Sequence, residues 1–63
     1  MYAELIRFLD KRITDPEDQH TLVECAETLR YLPDEFTVPE RRTLRELAVP
    51  FADDPDYQQR WKP

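Results

Sequence analysis

Apolar residues recur three and four positions apart along most of the chain, and prolines set the breaks between the runs. In the first run Tyr2, Leu5, Ile6, Leu9 and Ile13 share one side of a helix, and Met1 and Phe8 widen the stripe. Glu4, Arg7, Asp10 and Lys11 occupy the other side, and the like-charged pair Arg7 and Lys11 is expected to stay solvated. The pattern predicts a helix over 2–13. Thr14-Asp15-Pro16-Glu17-Asp18 then supplies a cap at Thr14 or Asp15, a proline at the first helical position and two acids against the positive helix end. A second helix is predicted over 16–32, with Leu22, Cys25, Ala26, Leu29 and Leu32 within an arc of about 120°. Tyr31 faces away from that stripe, and Pro33 ends the helix.

After the connector Asp34-Glu35-Phe36, Thr37-Val38-Pro39-Glu40 reads as a capping box opening a helix over 38–48. Leu44, Leu47 and Ala48 face inward there, Arg42 and Arg45 outward, and Phe51 extends the apolar line past Pro50. Asp54-Pro55 repeats the cap-plus-proline start and predicts a helical turn over 55–61. The expected fold is all-α, a single small domain over 1–63 built as a three-helix bundle with a short fourth C-terminal helical turn.

Composition narrows the class further. The chain has no glycine, serine or asparagine. Left-handed caps and tight hairpins thus lose their favoured residues, which argues against β-architecture. The net charge of −5 disfavours phosphate backbones and anionic membrane surfaces and suits partners with basic patches. No apolar run reaches the length of a membrane span and no signal-peptide core is seen, so the expectation is no membrane and a cytoplasmic location. The one cysteine, Cys25, precludes an internal disulfide. At 63 residues, only about 60% of the surface exposed by the unfolded chain can be buried, so a protein partner or a homo-oligomer is expected.

The C-terminal block has a pattern beyond helix spacing. It runs Leu44-Arg45-x-Leu47-Ala48-x-Pro50-Phe51-Ala52-Asp53-x-Pro55-Asp56-Tyr57, followed by Trp61 and Pro63. It resembles the tail of a group of small actinobacterial and actinophage proteins of unassigned function. These end in leucine-alanine-proline-tyrosine-alanine-aspartate, proline-aspartate-tyrosine, then tryptophan, one residue and proline. The opening Leu5-Ile6-Arg7-Phe8-Leu9-Asp10-Lys11-Arg12 also resembles their first helix. Phe51 stands where that group usually has tyrosine, Asp54 where it often has histidine, and the longer central region of many members is absent. The resemblance implies an actinobacterial or phage origin and supplies no reaction.

Tyr57 and Trp61, four apart, share a helix face. They either form a docking hot spot or fold back on Phe51 and Leu47 to close the core. With Tyr31 and Phe36 they make up the candidate partner-binding residues. Asp53, Asp54 and Asp56 read as cap and helix-end charges, since a calcium loop needs a longer array of oxygen ligands. His20 and Cys25 lie about 140° apart on one helix and are too few for a zinc site. No metal, cofactor or catalytic residue is expected.

Three functional readings follow. The first is a non-catalytic, acidic protein–protein interaction module or minor subunit of a larger assembly. The second is a helix-turn-helix-like nucleic-acid-binding regulator using Arg41, Arg42 and Arg45, with Lys11, Arg12 or Arg30 as neighbouring cations. The third is a phage-encoded inhibitor of a host protein, placed in the host cytoplasm or virion.

Overall fold

The computed structural model describes residues 2–61. Met1, which widens the first stripe, and Pro63, which closes the tail pattern, lie outside them. Four α-helices follow in order: α1 (Tyr2–Asp10), α2 (Pro16–Tyr31), α3 (Val38–Ala48) and α4 (Pro55–Arg60). Single 3-10 turns, Pro33–Glu35 and Val49–Phe51, bridge α2 to α3 and lead out of α3. Among the described residues there is no strand, and the fold is all-α.

Local chemistry sets these starts and stops. At α2 the Asp15 carboxylate accepts the Asp18 N–H at 3.1 Å, with Pro16 at the first position. At α3 the Glu40 carboxylate accepts both the Thr37 N–H at 2.9 Å and the Thr37 hydroxyl at 3.0 Å. At α4 the Asp54 carboxylate accepts the Asp56 N–H at 2.9 Å, ahead of Pro55 at the first position. No described residue takes a positive φ, in keeping with a chain that lacks glycine and asparagine.

Three boundaries differ from the sequence expectation. The first helix stops at Asp10 instead of 13: the Arg12 and Ile13 N–H groups converge on the Leu9 carbonyl at 3.0 and 2.8 Å. The Gln19 side chain then takes the Ile13 carbonyl at 2.6 Å, which holds the connector in place while Ile13 stays buried. The second helix stops at Tyr31, because Leu32 precedes Pro33 and the proline ring disfavours helical geometry there. Leu32, expected in the inward stripe, consequently turns outward and is 53% exposed. The last helix ends at Arg60, with Trp61 in the turn that follows.

The core consists of Leu5, Phe8, Leu9 and Ile13 from the first segment, Leu22 and Cys25 from α2, Phe36 from the connector, and Leu44 and Ala48 from α3. α1, α2 and α3 each pack against the other two. Leu9, Leu22 and Leu44 are fully enclosed, one from each of the three principal helices. Phe36 is only 7% exposed, its ring 5.6 Å from that of Tyr2. It packs into the core beside the N-terminal end of α1, so this candidate partner-contact residue presents little surface.

Candidate interaction surfaces

The tail is positioned by Phe8. Beyond α3, the Val49–Phe51 turn and the Asp54 cap return the chain to Phe8 and Arg12 of the first segment. Three rings then gather round Phe8: Trp61 at 5.1 Å between centroids, Tyr57 at 5.8 Å and Phe51 at 6.4 Å. Tyr57 and Trp61 are themselves 5.9 Å apart, as their spacing on a helical turn requires. Both remain half-buried and pack against the core. Of the two sequence readings, the geometry brings out core closure. The focal ring is Phe8, with Phe51 only one of its neighbours.

An ionic clasp, missed at the level of sequence, fastens this cluster. Arg12 Nε donates to Asp54 Oδ2 at 2.8 Å, and Nη2 lies 3.3 Å from Asp56 Oδ2. The same guanidinium stacks 3.8 Å from the centre of the Phe8 ring and donates through Nη1 to the Phe8 carbonyl at 3.3 Å. The hydrogen bond from Arg12 holds the Asp54 carboxyl below the usual carboxylate range, and Asp54 in turn raises the guanidinium pKa. Asp54 therefore caps α4 and anchors α1 at once. The (i, i+4) spacing of Phe8 and Arg12 was a visible signal for the stacking. Nothing local linked position 12 to position 54.

Tyr31 stays outside every such cluster. It is 65% exposed on the side of α2 opposite Leu22 and Cys25, with the Arg30 guanidinium 5.3 Å from its ring centre. A shallow depression there is lined by Glu24, Glu27, Thr28, Tyr31 and Leu32. Exposed apolar side chains thus sit directly beside two carboxylates.

The three arginines of α3 do not act as a set. Arg45 donates to the Tyr2 hydroxyl at 3.2 Å and stands 5.8 Å from its ring centre. Arg41 is half-buried and Arg42 exposed. The concentration of cations lies elsewhere, in a groove of about 290 Å³ between α1 and α4 lined by Arg7, Lys11, Arg12 and Arg60 over Phe8 and Trp61. Glu4 and Asp56 also border it, and Arg60 pairs with Glu4 at 3.7 Å. Arg12 thus associates with α4, and Lys11 lines the same groove.

His20 makes an exposed contact with Glu24 at 3.1 Å. Cys25 is buried, and burial foremost, then the nearby Glu40 and Glu24, pushes its thiol pKa up. No group of three or more metal-ligating side chains occurs among the described residues. No described helix is long and apolar enough to cross a membrane. No protein-family model matches the chain, and no curated protein or solved structure matches it either.

Proposed function

We propose that the chain is a small acidic interaction module, a non-catalytic docking unit or minor subunit, and that it meets a protein partner through the outward side of α2. The carrying observation is Tyr31, an aromatic ring left in solvent beside exposed Leu32 while the other aromatic side chains pack against the core. Tyrosine is among the residues that dominate binding hot spots. Glu24 and Glu27 on the same face favour a partner segment that carries lysine or arginine beside apolar residues. Tyr57 and Trp61 contribute by holding the scaffold rigid, and Phe36 does the same from beneath Tyr2.

Affinity capture from host extract, with the Tyr31→Ala/Leu32→Ala variant in parallel, tests this reading. Loss of one captured partner at unchanged melting temperature is the expected result. Equal capture by both proteins overturns it. The nucleic-acid reading has less support, because Arg45 is engaged with Tyr2 and the net charge is −5. The tail resemblance supports an actinobacterial or phage origin. A phage-encoded inhibitor of a host protein would use the same α2 face.

A further inference from the structure

We infer that two copies of this chain pair about a two-fold axis through the apolar groove between α1 and α2. This deepens the interaction-module reading, on which it rests, by naming a second copy as one of the partners. The groove has a volume of about 230 Å³ and is floored by Ile6 from α1 and Leu22, Val23 and Ala26 from α2. Val23 is 48% exposed at its edge. The α1 rim is formed by Arg7 and Asp10, both exposed, and neither makes an ion pair among the described residues.

Charge determines which surface can receive a second copy. Two molecules of charge −5 repel one another, so like faces meet only where the local charge is balanced. The outward side of α2 sets Glu24 and Glu27 against the single cation Arg30, and that negative excess would repel its own copy. In the α1/α4 groove Arg12 and Arg60 are already paired with Asp56 and Glu4, and the remaining cations, Arg7 and Lys11, would repel those of a second copy. The rim of the α1/α2 groove carries one charge of each sign. Arg7 and Asp10 are three residues apart, hence neighbours on one helical face.

An axis perpendicular to α1 and passing between them sets Arg7 of each copy beside Asp10 of the other. Such an isologous contact closes at two subunits. It buries Ile6, Val23 and Ala26 at its centre and leaves the charges at its rim, the usual interface anatomy. A standard interface takes about 800 Å² from each partner. That is about a sixth of the 4727 Å² surface of this chain, comparable with one broad side of a molecule measuring 31 × 26 × 16 Å.

Sedimentation equilibrium over micromolar to millimolar concentration, with circular dichroism to verify folding, tests the pairing. Wild type should approach twice the monomer mass and stop there. Arg7→Asp and Asp10→Arg should each give folded monomers, because each sets like charges face to face. The double variant Arg7→Asp/Asp10→Arg should recover the dimer, since the two-fold axis pairs the exchanged charges again. Val23→Glu, on the other helix, should dissociate it independently.

A monomeric wild type, a dimer indifferent to the single reversals, or a folded double variant that stays monomeric overturns the inference. So does open-ended growth abolished by reversing Glu24 and Glu27, which would mean head-to-tail contact between unlike faces. The Tyr31→Ala/Leu32→Ala variant should remain dimeric. A monomeric wild type that still captures its partner through Tyr31 removes only the pairing. A dimer whose captured partners ignore Tyr31 removes only the docking reading.

Discussion

Replacing Trp61 with leucine distinguishes a tail that completes the core from one that waits for a partner. The substitution keeps an apolar side chain and removes two ring–ring contacts, to Phe8 at 5.1 Å and Tyr57 at 5.9 Å. Aromatic pairs contribute about 0.5–1.5 kcal/mol each beyond their area burial, so the expected loss is about 2 kcal/mol. At about 0.05–0.15 kcal/mol per residue the whole chain has only about 3–9 kcal/mol of stability. The variant should therefore lose about 10 °C in melting temperature. Urea unfolding followed by far-UV circular dichroism measures the loss without relying on the indole itself. A cycle with Phe8→Leu gives the sharper reading: the two substitutions share a contact and should fall short of additivity by about 1 kcal/mol. Strict additivity with a Trp61→Leu effect below about 0.5 kcal/mol would refute core closure by the tail.

Three further outcomes are expected. Asp54 is held acidic by Arg12 and Glu40 by the Thr37 backbone N–H. Folded carboxyls more acidic than their unfolded forms stabilise above the unfolded pKa of about 4 and lose that effect as pH falls through the lower folded value. Melting temperature should accordingly drop on acidification below about pH 5, and Asp54→Asn/Glu40→Gln should flatten that drop; an unchanged profile would count against both contacts. Asp15→Ala removes the α2 cap and should cost about 1 kcal/mol in urea unfolding, where a change within error would show the cap to be dispensable. Cys25, buried with its thiol pushed up, should react with an aromatic disulfide reagent only as fast as the fold opens, so mild denaturant should accelerate labelling steeply; rapid native-state labelling would contradict its burial.

The helices were legible because their starts are local. Asp15-Pro16, Thr37…Glu40 and Asp54-Pro55 each satisfy the first free N–H groups within a few residues, so spacing alone locates them. Helix ends were less legible. After α1 the connector is held by Gln19, six residues past Ile13, and the end of α2 is set by the restriction Pro33 places on Leu32. The candidate surfaces were legible in part. Facing direction on α2 correctly left Tyr31 outside, but Phe36 lies in a connector without periodicity, and only the path of the chain shows that it turns under Tyr2. The Arg12 clasp was hidden for a related reason: pairing across 42 positions is a property of the fold and leaves no trace in the spacing of either residue.

That clasp also bears on how the molecule opens. α1, α2 and α3 are joined by packing, whereas α4 is a helix of six residues with none fully buried, far too short to persist alone. It is held to α1 by the rings around Phe8, by the partly buried Arg12–Asp54 pair and by the more exposed Arg12–Asp56 and Arg60–Glu4 contacts, which salt weakens most. The segment 54–61 is thus expected to open at lower free energy than the three-helix remainder. Its amides should exchange hydrogen faster as ionic strength rises while those of α2 stay unchanged. Each such opening uncovers Phe8, so one interaction between distant charges sets how often the centre of the bundle meets water.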